Sequence, residues 1–445
     1  MATLCCFGGT LTVQGQTPID EGIIAQVGHC DCGEAICGCE SVGGCCDSGC
    51  DSGDSCGCEA VSSCDSGGCD SACDSGCGGC SSGCPLLGGL TDCCLSDPFV
   101  LFGEHCGWSA GGWVQLGYHS EANTLFNSRP DEYQLHQAWL WAEKAIDTSC
   151  GFDIGGRIDY IYGTDSQDTQ AFGTDPRGWD NSWDNGPDYG HALPQVYLEA
   201  GYGDLSVKIG HFYTIIGYEV VGAPGNFFYS HAYTFFNSEP FTHTGALATY
   251  SLSDDVEVYG GYSFGWDSGF DDNGDAFLGG ASLALTDDLT LIYATIGGRF
   301  GEARFNGVEK GYMHSIVADY AVTDNLQYIF QSDVLNTENA VGTTVRDTFG
   351  INQYLIYTVN DCLGLGARLE WYENEGIYTN VGQEADIYQL TLGLNYKPHA
   401  NVTVRPEVRW DWVENNTAVL AAGNTVTEDG DDDQTTFGID TIITF

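Results

Sequence analysis

From Gly107 to Phe445, apolar and polar residues alternate with a period of two. In "GFDIGGRIDYIYG" (151–163), Phe152, Ile154, Ile158, Tyr160 and Tyr162 share one face, and Asp153, Arg157 and Asp159 share the other. The closing "TTFGIDTIITF" sets Phe437, Ile439, Ile443 and Phe445 against Thr436, Gly438, Asp440 and Thr444. Such runs predict strands with one apolar and one polar face. Similar segments lie near 107–119, 133–146, 193–202, 204–212, 241–252, 255–266, 277–286 and 288–300. Others lie near 311–322, 325–335, 345–359, 362–373, 386–397, 400–413 and 434–445, for a total of about sixteen strands.

The connections carry further information. Every second one is short: "DTSC", "YGD", "SDD", "TDD", "TDN", "ND" and "PHA". Asp and Asn close such turns by bonding their own backbone. The intervening connections are long and mostly polar, such as "DSGFDDNGDA" and "ENNTAVLAAGNTVTEDGDDD". Around an even number of strands, this pattern puts all the short turns, and both ends of the strand array, on one side. A soluble sandwich has no reason to segregate its turns and would bury its apolar faces in a shared core. Here the faces opposite the apolar ones are too polar for a core: Gln389, Thr391 and Asn395; Arg368 and Glu370. The expected fold is all-β, an antiparallel transmembrane β-barrel of about sixteen strands with lipid outside and water within. Phe445 is then the terminal aromatic read by the barrel-assembly machinery as an insertion signal.

Composition narrows the function. The chain has 445 residues, 13 Lys and Arg, 63 Asp and Glu, and a formal net charge of -50. Such a surface does not neutralise phosphates, so nucleic acid is excluded as a partner. No run approaches the ~18 apolar residues of a membrane-spanning helix. Of 22 cysteines, 17 fall between Cys30 and Cys94, in a degenerate Cys, Asp, Ser and Gly repeat with almost nothing apolar. That tract has no core of its own. It reads as a disulfide cross-linking or tethering segment, a soft-metal binder, or a flexible spacer. Its irregular spacing fits no structural zinc pattern. The expected organisation is a leader over 1–29 (a signal-peptide remnant or a short unstructured lead), the Cys-rich low-complexity segment over 30–106, and the barrel over 107–445.

One connection is unlike the rest. "GHFYTIIGYEVVGAPGNFFYSHAYTFFNSEPFTHTG" (210–245) is rich in aromatics, and so much apolar surface should not lie free in water. It is expected to fold into the lumen, with a constriction within 212–240. These residues, with "AWLWAEKAID" and "GGRIDYIYGTDSQDTQAFG", resemble the β-barrel porin-2 (OmpL-like) family of planctomycete type. The resemblance covers roughly 107–445 and omits the cysteine tract. It implies an outer-membrane barrel, a porin, with no established cofactor.

On this reading, inward charges contact the permeant: Asp153, Arg157, Asp159, Glu199, Lys208, Arg368, Glu370, Arg405, Glu407, Arg409 and Asp411. Their alternative role is as paired ions that stiffen the wall. Constriction candidates are Tyr213, Tyr218, Asn226, Phe227, Phe228, Tyr229, His231, Tyr233, Glu239 and His243, unless the loop only packs on the wall or forms a subunit contact. Catalytic patterns are weak. "GYSFG" matches a nucleophile-elbow motif, but Ser263 sits in an alternating strand rather than a strand-to-helix turn. "FDDNGDAF" and "EDGDDD" lack EF-hand spacing. No metal site or cofactor motif is present, and the chain is not expected to be an enzyme.

The expected function is passive diffusion of small hydrophilic solutes or ions across the outer membrane of a Gram-negative-type bacterium. Outer-membrane lipid surrounds the barrel, a homo-trimer follows by architectural analogy, and the N-terminal segment is periplasmic. The alternative is a structural envelope anchor, disulfide-linked to other envelope proteins.

Overall fold

Strands form where alternation is sustained and stop where Gly, Asp and Asn interrupt it. A computed structural model of the chain describes residue 93 and residues 95–105, 107–123, 125–171, 179–270, 274–301, 309–375, 385–413 and 433–445. The leader, most of the Cys-rich segment, residues 271–273 of "FDDNGDAF" and most of "EDGDDD" lie outside these residues.

Among the described residues one antiparallel sheet contains all the strands. The first eight barrel strands are β1 (Ser109–His119), β2 (Gln134–Lys144), β3 (Phe152–Gly163), β4 (Tyr189–Tyr202), β5 (Leu205–Tyr213), β6 (Thr242–Ser253), β7 (Val256–Ser263) and β8 (Asp275–Thr286). The next eight are β9 (Leu289–Gly301), β10 (Glu309–Thr323), β11 (Leu326–Glu338), β12 (Thr344–Asn360), β13 (Leu363–Glu375), β14 (Ala385–His399), β15 (Val402–Val413) and β16 (Asp433–Thr444). A two-residue stub, Asp184–Asn185, adds to the start of β4. Each strand pairs with the next, and β16 returns to β1, with Trp113 opposite Thr444 and His119 opposite Gly438. Gly112 and Phe445 exchange backbone hydrogen bonds of 3.0 and 2.9 Å beyond that ladder, so the ring is closed to its last residue. Closure leaves no sheet edge, which a bilayer requires.

The two faces separate as the alternation predicts. Leu355, Leu365, Leu369, Leu392, Phe437 and Ile443 point outward and are exposed. Their chain neighbours Tyr354, Arg368, Glu370, Thr391, Thr436 and Ile442 are buried inside the ring. The closing stripe, Phe437 to Phe445, therefore belongs to the lipid-facing surface.

Strand ends differ from expectation by three or four residues in three places: β11 runs on to Glu338 rather than near 335, and the other two have clear reasons. β4 begins at Tyr189 rather than near 193 because Pro194 sits at a register shift between Asp159 and Ile161 of β3. A bulge tolerates a residue without an N–H, so pairing continues past it. β7 ends at Ser263 rather than near 266. The Ser263 hydroxyl donates to the Gly265 carbonyl (2.7 Å) and accepts from the Gly265 N–H (3.1 Å), and Gly265 has φ +128, so the chain turns there. The same bonds hold Ser263 in a turn that is not a nucleophile elbow.

The short-turn end is stapled. A disulfide joins Cys93 to Cys362, between the segment preceding β1 and the β12–β13 turn, with Cα atoms 6.0 Å apart. Phe99 adds two backbone bonds to the Asn401 side chain in the β14–β15 turn, at 2.6 and 2.8 Å. Cys150, in the β2–β3 turn, is also disulfide-bonded.

Leu369→Arg, on the lipid face near the middle of β13, should lower unfolding free energy in vesicles by about 2–4 kcal/mol. Urea denaturation followed by tryptophan emission measures this. An unchanged midpoint would mean that this face does not meet hydrocarbon.

The luminal segment and its wall anchors as candidate functional site

Residues 214–241, between β5 and β6, carry the aromatics singled out above and lie inside the ring. The segment contains a 3-10 turn (Ala223–Gly225) and a short helix, α1 (Tyr233–Ser238), all of whose residues are buried. Apolar side chains hold it against opposite walls. Phe228, with Tyr218 and Phe227, packs on Ile292, Val317, Ile329 and Tyr354 of β9 to β12. Val221, Tyr233, Phe235 and Phe236 join a cluster with Trp113, Trp139 and Ile442 across the ring.

A backbone placed inside a barrel must also satisfy its N–H and C=O groups. The wall does this with charged side chains. Glu370 accepts from the N–H groups of Tyr233 and Thr234, at 2.7 Å each, at the start of α1, where no intrahelical acceptor exists. Glu407 accepts from the N–H groups of Tyr229 (2.9 Å) and Ser230 (3.1 Å). Arg405 donates to the carbonyls of Ala223, Asn226 and Phe228 at 2.7–3.0 Å and pairs with Asp440. Arg409 donates to the His231 carbonyl (2.7 Å), pairs with Asp411 and lies 4.8 Å from the Tyr233 ring centroid. Arg346, paired with Glu309, donates to the Asn237 carbonyl at 3.1 Å.

Arg368 joins the ends of this system. It pairs with Glu219 of the segment at 2.6 Å and donates to the Ser230 carbonyl at 2.6 Å. Glu219 also accepts from the His231 ring (3.0 Å), the Ala232 N–H (2.9 Å) and the Tyr354 hydroxyl (3.1 Å). Burial alone would raise the Glu219 carboxyl, but Arg368, His231 and these donors outweigh it and hold it down to about 2.

Glu239, at the far end of the segment, has the opposite environment. It and Asp333 of β11 are both buried and share one amide donor, Gln331 Nε2, at 2.5 and 2.9 Å. Ser315 donates to Asp333 at 2.6 Å. Neither carboxyl forms an ion pair among the described residues. Burial, and then the neighbouring Asp333 charge, push the Glu239 carboxyl well above the usual carboxylate range.

Of the other singled-out residues, His243 is in β6 rather than the loop, and its Nε2 lies 3.0 Å from the Thr214 hydroxyl. Tyr213 ends β5. Asn226 closes the 3-10 turn on itself, bonding Val220 through both backbone groups at 2.9 and 2.6 Å. Tyr229 donates to His136 Nε2 (2.7 Å), whose Nδ1 is bound by Asp165 (2.8 Å), a carboxylate that fixes the ring tautomer. On the other side of the lumen, Arg157 pairs with Asp159 (2.7 Å) and Glu143 (3.1 Å), and Asp153 pairs with Lys144 (2.8 Å) beside the β2–β3 turn. Glu199 and Lys208 are half-buried near the short-turn mouth.

The sequence reading missed Glu219, Glu309, Asp333, Arg346 and Asp440 as functional positions. Strand alternation marks Asp333, Arg346 and Asp440 as inward. No periodicity marks Glu219, which lies in an irregular segment.

Arg368→Met should leave Glu219 buried without its cation, at a cost of about 3–5 kcal/mol. The expected readout is new chymotryptic cleavage among the aromatics of 218–236; full protection would contradict the anchoring role. The pH response should be two-sided. Glu239 is raised in the folded state, so its contribution is fully present below the ordinary glutamate value and is lost as pH rises through the folded one. Glu219 is depressed, so its contribution is lost as pH falls from the ordinary value toward about 2. Cleavage should therefore increase as pH rises above the ordinary glutamate value, read with chymotrypsin, and as pH falls toward about 2, read with pepsin; Glu239→Gln should abolish only the rising arm. A rising arm that survives Glu239→Gln would assign it elsewhere.

Comparison with known proteins agrees with the barrel fold. An anion-selective porin from Comamonas acidovorans superposes with a TM-score of 0.54 at 11% identity, covering 76% of this chain and 99% of the porin. The outer membrane channel DcaP of Acinetobacter baumannii gives 0.52 at 10% identity over 78% and 100%. A loop-deletion form of OmpT from Vibrio cholerae gives 0.51 at 14% identity over 76% and 99%. At such identities the likeness concerns the fold alone. No curated protein sequence matches the chain. Residues 107–445 match the family model described as "Putative beta-barrel porin-2, OmpL-like", and the chain belongs to that outer-membrane porin family.

Proposed function

We propose that the protein is a channel for passive diffusion of small hydrophilic solutes, with the luminal segment as its constriction. The observation that carries this reading is the segment's attachment: it crosses between opposite walls and is held by wall carboxylates and guanidiniums through its own backbone. A chain segment fixed in this way narrows a pore without leaving it. The inward charges not engaged by the segment, among them Asp153, Glu199 and Lys208, then face the permeant. The long acidic connections favour cations at the mouth. On this reading the short-turn end, with the Cys-rich segment, is periplasmic, and three copies assemble side by side as in general porin architecture.

The envelope-anchor reading keeps one specific support. The segment preceding β1 is covalently tied to the barrel through Cys93 and Cys362, so any force on the upstream tract is passed to the barrel wall. Gel mobility with and without reductant separates the roles: high-mass species that collapse on reduction favour tethering to other envelope proteins.

Refolded full-length protein in a planar bilayer should show discrete conductance steps proportional to salt. Deleting part of 217–240 should enlarge them. In a salt gradient the reversal potential should report cation preference; clear anion preference would refute the charge reading. A folded, inserted barrel that stays silent would refute the open channel.

A further inference from the structure

With 13 basic residues against 63 acidic ones, a basic side chain that lacks a carboxylate partner is unexpected. Among the described residues, each inward-facing arginine, Arg157, Arg346, Arg368, Arg405 and Arg409, sits in an ion pair. Lys208 on β5 does not. Its Nζ lies over the Tyr197 ring, 4.9 Å from the centroid. Its register partner across β4–β5 is Glu199. Opposite charges at such positions normally pair. Here the ammonium is held on the aromatic face instead, and the Glu199 carboxylate accepts the Ser206 hydroxyl at 2.9 Å. Two adjacent opposite charges are thus both left without an ionic partner among the described residues.

Both line a cavity of about 240 Å³ between the short-turn mouth and the first residues of the luminal segment. The cavity also has an apolar side, built from Ile146, Phe212, Ile215 and Leu247. Arg157 and Glu143, which line it as well, already pair with each other at 3.1 Å. The space is below the roughly 300–1,000 Å³ of pockets for drug-sized ligands, so its occupant is small.

We propose that this cavity binds a small zwitterion with an apolar tail, the chemistry of a free α-amino acid. Its carboxylate meets Lys208, its ammonium meets Glu199, and its tail lies on Phe212 and Leu247. A ligand carrying both charges compensates both side chains at once, whereas a simple anion or cation leaves one uncompensated. The inference rests on the channel reading for the solute's passage, but not for its binding.

Equilibrium dialysis of radiolabelled L-leucine against refolded full-length protein in detergent tests this. Isovalerate and isoamylamine, which share the tail and carry one charge each, serve as competitors. Saturable leucine binding is expected, with both competitors about tenfold weaker, roughly one charge-assisted hydrogen bond. Lys208→Met and Glu199→Gln should each weaken leucine by a similar factor, and Lys208→Arg should restore most of the loss. Binding that does not saturate, competitors as strong as leucine, or variants that bind like the parent would overturn the proposal. If a variant fails to refold, the competitor series on the parent protein decides. Conductance measured in parallel separates the two readings. Leucine binding by a silent barrel would sink the channel and keep the site; a conducting barrel that ignores leucine would do the reverse.

Discussion

A peptide group facing hydrocarbon must find its hydrogen-bond partner within the protein, and the rest of this architecture follows from that constraint. A sheet meets it only by closing on itself. Closure here extends to the final residue, where Phe445 and Gly112 exchange backbone bonds across the seam between β16 and β1. Once the ring is closed, the period of two assigns every side chain either to lipid or to the lumen. Leu369 and Arg368 are neighbours in sequence and lie in opposite solvents.

The inward face then has its own requirement. Arginine and glutamate buried in a narrow lumen need partners, because an unpaired buried charge is costly. A segment of backbone brought into the same space needs donors and acceptors as well. The two needs meet in the segment between β5 and β6. Glu370 and Glu407 take its N–H groups, while Arg368, Arg405 and Arg409 take its carbonyls. Asp411 and Asp440 complete the guanidiniums from the wall side. The run "VTVRPEVRWDW" is therefore best understood as one half of a docking surface. The other half is the backbone of residues 223–231. This arrangement couples loop position to charge state at its two ends: Glu219 is strongly compensated by Arg368, and Glu239 is not compensated by any cation among the described residues.

The opposite part of the lumen is built differently. Around Lys208 and Glu199 no backbone of the described residues arrives to take up the charges, and a cavity remains. The luminal segment leaves β5 at Tyr213 and moves toward the far wall, so the near wall below it stays open to small molecules. The asymmetry follows from where one loop goes rather than from any difference between the strands.

Much of this was legible in the primary structure. Alternation from Gly107 onward gave the strands, the sequence of short and long connections gave the closed up-and-down order, and the aromatics of 210–245 marked the one loop that water would not accommodate. These features are local, and the physics that reads them needs only a period, a turn residue or a local excess of apolar surface. Strand ends at Pro194 and Gly265 were less legible, because a bulge and a glycine turn depend on what the neighbouring strand does. The partners of individual charges were not legible at all. Arg405 looks the same in sequence whether it faces water or three carbonyls of a loop almost two hundred positions away, and Glu219 lies in no periodic element. Those pairings join residues far apart in the chain, and only the folded ring brings them within hydrogen-bond distance. The sequence by itself thus determined a lipid-facing barrel with a polar inner face and an apolar loop. The tertiary structure alone decided which inner charges bind that loop, which pair along the wall and which line the cavity, because pairing is set by distance in space and not by distance along the chain.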